Sequence, residues 1–477
     1  MHAKRVAELL AAGPSVALLH GSPSSMVTGL TQDSRQLRPG DLFVAVSGFE
    51  RDGREFLPQA IAAGAAAAVS ASRTQLAELA AAFYDHPSST LPVVGITGTD
   101  GKTSTTQLLS AILEAHGLRT GWLTTVNTKV GSEVRPNVVD HTTPEAPVVQ
   151  RTLAEMRDAG LDVCILETSS HALELDRVHG VDFQVGVFTN LSSEHINFHG
   201  TFEAYRLAKA RLFSALPASG LAILNADDAH VSFFAAATVA RVLTYGLASA
   251  ADVNATDIAL APRGTSFVLQ GRHIETRLLA RFNVANWLAA YAAATYFGAT
   301  LDDVVQAARD QPPVPGRMNL VQRGQPFAVV VDFAHTPQAL ERALDSLRDL
   351  GARRVLLVFG LAGGRDAANR PVMGALAARK ADFFVISMDD PGHEDPATIA
   401  QQIAAGASPS SNLVIELDRR AAIRLVLENA EPGDAVLLAG KGHEQRMVVG
   451  DERRPWNDAA VAADELFQMG YAGQAVR

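Results

Sequence analysis

The sequence predicts an α/β protein of three domains, each a sheet with helices packed on it. Three observations carry that expectation. An apolar run at 91–96 leads into a Gly-rich turn, then a helical pattern with Leu108, Leu109, Ile112 and Leu113 on one face. Past residue 312, apolar runs at 328–331, 355–359, 383–387, 413–415 and 435–438 alternate with helical stretches, the pattern of a doubly wound sheet. Between them lies Gln311-Pro312-Pro313-Val314-Pro315-Gly316, the sharpest composition break in the chain. The domains are therefore placed at 1–90 (small α/β), 91–312 (central, parallel sheet) and 313–477 (doubly wound, Rossmann-like).

Composition narrows the field. The chain has 477 residues, 47% of them hydrophobic, enough for several cores. A formal net charge of −10 argues against a nucleic-acid partner, which needs a basic surface. Cys164 is the single cysteine, so no internal disulfide or cysteine-based metal cluster can form, and its apolar setting at 163–166 reads as a buried thiol. The stretch 6–19 is interrupted by Glu8, Gly13 and Pro14 and reads as a short amphipathic helix, not a leader. The Ala-rich run 60–69 contains Gly64 and is too short to span a bilayer. A soluble cytoplasmic protein with no membrane partner is expected.

The elements follow in order. In the first domain, Thr31-Gln32-Asp33-Ser34-Arg35 leads through Arg38-Pro39-Gly40-Asp41 to a strand at 42–46. The polar loop 48–53 and a helix from Phe56 to Gly64 follow. On spacing alone these loops read as solvated turns or as a binding edge.

In the second domain, Gly98-Thr99-Asp100-Gly101-Lys102-Thr103-Ser104 sits between a strand and a helix. It reads as a phosphate cradle, with amides at the helix N-terminus, Lys102 for the β/γ-phosphates and Thr103 for Mg²⁺. The generic loop has four residues between its first Gly and the Gly-Lys pair. Counted from Gly95, this chain has one more. Later strands end at Glu167, at Thr189-Asn190 ahead of His195, and at Asn225. Strand ends are where open parallel sheets bind ligands, so Glu167 and His195 are candidates to converge on metal and phosphates. Lys209 lies four residues from both Tyr205 and Phe213 on a largely apolar helix face; by pattern alone it reads as a snorkelling side chain. The third domain carries four polar loops at strand ends: 332–337, 360–366, 389–396 and 440–444.

Together these motifs resemble the Mur ligase family over essentially the whole chain, most closely its tripeptide-forming members. The resemblance rests on 98–103, Asp33-Ser34-Arg35 with 39–43, His141-Thr142-Thr143-Pro144, Glu167-Thr168-Ser169-Ser170-His171, Asp332-Phe333-Ala334-His335-Thr336-Pro337 and Gly440-Lys441-Gly442-His443-Glu444, in the family's order. A folylpolyglutamate synthetase would lack the Asp-Ser-Arg domain, and a nucleotide switch needs no second domain with four binding loops.

The resemblance implies ATP, Mg²⁺, a UDP-N-acetylmuramoyl-dipeptide and a free diamino acid, handled by a monomer. Phosphorylation of the D-Glu side-chain carboxyl gives an acyl phosphate, which the amino acid's α-amine attacks. By the same resemblance Lys102 steadies the migrating phosphoryl group, and Thr103, Glu167, His195 and a carbamylated Lys209 hold metals. Gly98, Thr99, Gly101, Ser104, Asn283, Asn286, Arg317, Asp332 and His335 hold ATP. Ser34, Thr142, Thr143, Ser169 and Arg177 contact the UDP-linked substrate, and Arg365, Asp389, Asp390, Gly440 and Glu444 the amino acid.

Some positions depart from the family pattern: Asp100 for Asn, Leu175 for Gln, Glu194 and Asn197 for Asp, and Gly364 for Asp. The largest departure is Asp389-Asp390-Pro391-Gly392, where diaminopimelate-adding members carry Asp-Asn-Pro-Arg. Gly392 cannot make a bidentate contact to a distal carboxylate. With Asp389, Asp390, Glu394 and Asp395, the loop is acidic and suits a distal ammonium. L-lysine or L-ornithine is therefore the favoured amino acid, with meso-diaminopimelate the alternative.

Overall fold

The computed structural model describes residues 3–12, 16–48, 51–137, 141–248, 250–364, 367–408 and 412–471. The chain forms two compact units. One is Met1–Leu191, Glu203–Tyr245 and Ala289–Thr300; the other is Ser192–Phe202, Gly246–Leu288 and Leu301–Arg477.

The first unit begins with a four-stranded sheet. Strands Gly29–Thr31, Asp41–Val46 and Ala67–Ala71 run parallel, and Ala17–His20 pairs antiparallel with Ala67–Ala71. Val6, Leu9, Val44, Val69, Leu79 and Phe83 fill its core. The helix Arg73–Phe83 that covers it starts with a Ser72/Gln75 capping box. The stretch expected as one amphipathic helix is instead a helix, Val6–Ala12, and a strand, Ala17–His20. Pro14 lacks the N–H that a continuing helix would need.

The larger sheet of this unit holds six parallel strands in the spatial order Thr120–Leu123, Val163–Glu167, Val93–Thr97, Phe183–Phe188, Leu221–Asn225 and Arg241–Gly246. Antiparallel strands Asn127–Val130 and Glu133–Pro136 extend one edge. Its middle strands are largely apolar because both faces are covered: Val93, Val94, Ile96, Ile165, Leu166, Val185 and Val187 are buried. Cys164 is buried among them, and burial raises its thiol pKa. Val93–Thr97 is central, flanked by Val163–Glu167 on one side and Phe183–Phe188 on the other. Glu167 is level with Ile96, and Phe188 with Thr97. That arrangement opens a crevice beyond the C-terminal strand ends, where such sheets bind ligands.

Gly95 lies inside this central strand. A Cβ there would come within 2.6 Å of Leu212 Cδ1 and 2.9 Å of the Phe183 ring, so the helix Phe202–Ser214 rests directly on the strand. Gly95 is therefore a packing residue. The loop proper begins at Gly98, with two residues between it and the Gly101-Lys102 pair.

In the second unit, Val253–Ala261, Gly264–Leu269 and Arg272–Thr276 form an antiparallel meander that sequence periodicity did not announce. A six-stranded sheet follows in the order Asn319–Leu320, Ala328–Asp332, Ala435–Ala439, Val355–Phe359, Phe383–Ile386 and Leu413–Ile415. All but the first of these strands are parallel. Helices Pro337–Asp349, Asn369–Lys380 and Pro396–Ala404 pack on one face around Leu344, Met373 and Ile403. Arg419–Asn429 and Asp458–Gln468 pack on the other around Ile423, Val426 and Leu466. Helices on both faces make this the expected doubly wound sheet. Among the described residues no helix is long and apolar enough to cross a membrane.

Candidate active site

The loop after the central strand depends on its glycines. Gly98 has φ +148°, and a Cβ there would lie 1.9 Å from Thr189 Oγ1. Gly101 is left-handed at φ +84° and starts the helix Lys102–Ala115. Asn190 braces the loop: its carbonyl accepts the Thr99 N–H (2.8 Å), its Oδ1 the Asp100 N–H (3.0 Å), and its Nδ2 donates to the Asp100 carbonyl (3.0 Å). Sequence reading noted Thr189-Asn190 at a strand end but gave Asn190 no role.

Lys102 and Lys209 both turn towards this loop. Lys102 Nζ donates to the carbonyls of Gly98 (3.0 Å) and Thr99 (2.6 Å). Lys209, 2% exposed, donates to the Gly98 carbonyl at 2.8 Å and lies 4.6 Å from the Tyr205 ring centroid. Lys209 therefore does not snorkel to solvent; its ammonium points inward to the loop. Thr99 Oγ1 and the Tyr205 hydroxyl are 3.0 Å apart, and Thr103 and Ser104 are buried in the helix's first turn.

Glu167 ends the neighbouring strand with no solvent exposure. Its Oε2 accepts from Thr125 N–H (3.2 Å) and Oγ1 (2.7 Å), while its buried Oε1 has no hydrogen-bond partner. A buried carboxylate oxygen without a donor is costly, and it is the type of ligand a hard divalent cation takes. On this ground Glu167 fits the part of an Mg²⁺ ligand.

Beside Glu167 the expected substrate residues meet. Thr143 Oγ1 donates to the Glu167 carbonyl (2.7 Å), and the Ser169 N–H donates to Thr143 Oγ1 (3.1 Å). Arg177 donates to the Thr143 carbonyl (3.0 Å) and pairs with Glu145 at 2.7 Å, while Arg73 lies 3.7 Å from the same Glu145. Burial lowers the Arg177 pKa, opposed by Glu145 and helped by Arg73. Thr142 is half-buried next to this group. Ser34 donates from Oγ to Gln59 Oε1 (3.0 Å) in the first sheet's loops.

His195 belongs to the second unit. It has φ +56° ahead of the short helix Ile196–His199, and Glu194 Oε1 lies 3.6 Å from the Nε2 atoms of both His195 and His335. Asn283 Nδ2 donates to the Leu279 carbonyl (2.7 Å), and Asn286 Nδ2 donates to Asn283 Oδ1 (3.0 Å). Asp332 accepts the N–H groups of Met318 (2.7 Å) and Ala334 (2.9 Å). Phe333, which sequence reading left without a role, is the stacking centre: Arg317 lies 4.9 Å from its ring centroid, His335 4.6 Å and His443 4.9 Å. Burial, then Arg317, His335 and Lys441, push His443 down to about 3. Gly316 and Gly442 are required because a Cβ on either would strike the neighbouring loop.

The loop expected to hold the amino acid's ammonium is only partly free for that task. Glu394 accepts the Gly364 N–H (2.6 Å) and faces Arg370 at 2.9 Å. Asp395 caps the helix Pro396–Ala404. Both are engaged within the fold, which corrects their reading as pocket-lining acids. Asp389 and Asp390 do gather with Glu444, their oxygens within 4.8 Å of one another, around the buried Lys441. Gly440 permits this, since a Cβ there would lie 2.5 Å from Asp389 Oδ2. Gly392 has φ +55° with open space where a side chain would project. Arg365 lies outside the described residues.

A loop that cradles phosphate, a buried carboxylate beside it, and a second doubly wound sheet with an acid–ammonium rim are the parts of a nucleotide-driven ligase. Comparison with known proteins agrees. The Mur ligase middle domain matches residues 96–294, the glutamate ligase domain 316–442 and the Mur ligase family catalytic domain 26–99. The chain belongs to the Mur ligase family. It is 40% identical over 469 residues to the UDP-N-acetylmuramoyl-L-alanyl-D-glutamate--2,6-diaminopimelate ligase of Geobacillus thermodenitrificans, covering 93% of this chain and 96% of that one. It is 42% identical to the UDP-N-acetylmuramyl-tripeptide synthetase of Roseiflexus sp., covering 94% and 96%. A solved UDP-N-acetylmuramoyl-L-alanyl-D-glutamate--2,6-diaminopimelate ligase matches with a TM-score of 0.65 and 30% identity, over 97% of this chain and 99% of that one.

Proposed function

We propose that this ligase uses ATP to join a diamino acid to UDP-N-acetylmuramoyl-L-alanyl-D-glutamate, a step in building peptidoglycan precursors, and that the amino acid is meso-diaminopimelate. The observation that carries the ligase reading is the buried, partnerless Glu167 oxygen beside the Gly98–Thr103 loop. Domain 1–90 takes the uridine end of the substrate, 91–312 the phosphates, and 313–477 the amino acid and part of ATP. Glu167, Thr103 and a carbamylated Lys209 hold metal ions, and the family resemblance gives His195 a metal-assisting role.

The chain's own residues divide the work. Lys102, held on two carbonyls, can exchange them for phosphate oxygens as the phosphoryl group moves to the D-Glu carboxyl. Mg²⁺, when bound, neutralises charge on the phosphates. Thr143, Ser169 and Arg177 orient the UDP-linked substrate. The α-amine then attacks the acyl carbon, the C–O bond to phosphate breaks, and the amide, ADP and phosphate leave.

The names of the Geobacillus relative and the solved ligase support meso-diaminopimelate over the lysine or ornithine that the loop composition favoured. The engagement of Glu394 and Asp395 removes half of the acidic pocket on which that preference rested. Gly392 favours a second reading, a diamino acid with no distal carboxylate, because no side chain at that position can pair with one. Comparing kcat/KM for meso-diaminopimelate, L-lysine and L-ornithine decides between them. The first reading expects diaminopimelate to lead; a lead for lysine or ornithine establishes the second. ATP hydrolysis insensitive to both the UDP-dipeptide and every amino acid would sink the ligase reading itself.

A further inference from the structure

Lys441 is a buried cation of the second unit with three carboxylates around it. Its ammonium has no solvent exposure and lies 2.5 Å from Glu444, 2.7 Å from Asp390 and 3.7 Å from Asp389. Asp390 is fixed further by the Val448 N–H at 2.9 Å. Behind the rim, Arg419 and Asp458 form a fully buried pair at 2.7 Å, and Arg419 also donates to the Ala439 carbonyl (2.9 Å) and the Met388 carbonyl (3.3 Å). That pair is internally neutral, so the rim itself holds two carboxylates in excess of its one ammonium.

We propose that Lys441 is a positioning residue for the incoming diamino acid, fixing Asp390 and Glu444 as a carboxylate rim against which the amino acid's non-reacting ammonium docks. This rests on the ligase reading above and holds for diaminopimelate, lysine and ornithine alike, since all three carry that ammonium. The excess of negative charge gives the rim a reason to take one cation from the substrate. Lys441 itself already lies against the oxygens of this acidic group, which explains why the group is a rim for an ammonium and not a metal cage. Without Lys441 the three carboxylates would repel one another in a desolvated site, and the nearest would take up protons instead of binding an amine.

The charged groups facing the rim are Lys441 and Glu444 from one loop, Asp389 and Asp390 from another, and Arg419 with Asp458 from the helices behind; His443, beside Glu444, is titratable but neutral. Burial raises the Glu444 and Asp389 pKa values while Lys441 opposes the rise. Burial works against the charge on Lys441, but Asp389, Glu444 and Asp390 outweigh it. Removing Lys441 therefore lets Glu444 and Asp389 rise further, and the acid limb of amino-acid usage moves to higher pH.

The test compares wild type with Lys441→Met, measuring KM for the amino acid, ATP and the UDP-dipeptide, and kcat/KM for the amino acid from about pH 6 to pH 9. Losing the ammonium that fixes the rim carboxylates in place and charged is expected to raise the amino-acid KM about tenfold or more. The other two KM values should stay within about threefold, with the acid limb shifted upward. An unchanged amino-acid KM, or three KM values rising together with an unmoved pH profile, overturns the proposal. If Lys441→Met does not fold, Glu444→Gln carries the test: it should raise the amino-acid KM selectively and move the acid limb, and a wild-type profile overturns the proposal. Wild-type turnover in the same assays tests the ligase reading separately.

Discussion

Two regions of this protein hold their lysines in opposite ways. At the phosphate loop, Lys102 and Lys209 donate to backbone carbonyls of Gly98 and Thr99. At the second sheet's rim, Lys441 is surrounded by Asp389, Asp390 and Glu444. A neutral carbonyl is a weak partner that an incoming anion displaces with a gain in energy. A buried carboxylate is a strong partner that no ligand displaces cheaply. The difference tells which ligand charge each region awaits: an anion at Lys102, whose carbonyl partners are neutral, and a cation where carboxylates exceed the lysine that ties them.

The comparison breaks first at Lys102. Lys102→Ala is expected to lower kcat by about a thousandfold, measured as ATP-dependent amide formation, while its thermal midpoint stays within a few degrees of wild type. A large loss of stability would mean that Lys102 is a structural residue like Lys441. Next in size is the buried pair behind the rim. Arg419→Met leaves Asp458 buried without its guanidinium and should cost about 3–5 kcal/mol of stability in urea unfolding; a loss under about 1 kcal/mol would show that the rim's support tolerates unpaired charge. The smallest effect concerns His443. Held down to about 3, it stays neutral in the folded chain while the unfolded chain protonates near the ordinary histidine value. Its contribution is therefore intact above about pH 6.5 and is lost progressively as pH falls towards 3, about 2 kcal/mol by pH 5. His443→Gln should flatten that part of the stability–pH curve, and an unchanged slope would remove His443 from the account.

The phosphate loop was legible in the sequence because its chemistry is local: Gly98, Gly101, Lys102 and Thr103 do their work within one turn of chain. Even there, spacing pointed to Gly95 as the first loop glycine, because a glycine required by packing and one required by backbone conformation look alike on paper. Glu167 and Lys209 were ambiguous by pattern and became readable only through family resemblance. What singles them out is three-dimensional: a partnerless carboxylate oxygen, and an ammonium turned inward to Gly98. The acidic loop was over-read for the same reason. Asp395 in a helix cap and Glu394 against Arg370 have the same composition as a ligand pocket, and only their hydrogen bonds separate the two. The hub at Lys441 draws on loops about fifty residues apart, a proximity that no local window contains.

Gly95 has a mechanical consequence. Since the central strand carries no side chain at Gly95, Leu212 of the helix that bears Lys209 seats directly on the strand backbone, and Lys209 reaches Gly98 from that seat. A single methyl group added at Gly95 would act as a shim, tilting Lys209 away from Gly98 without touching any ligand.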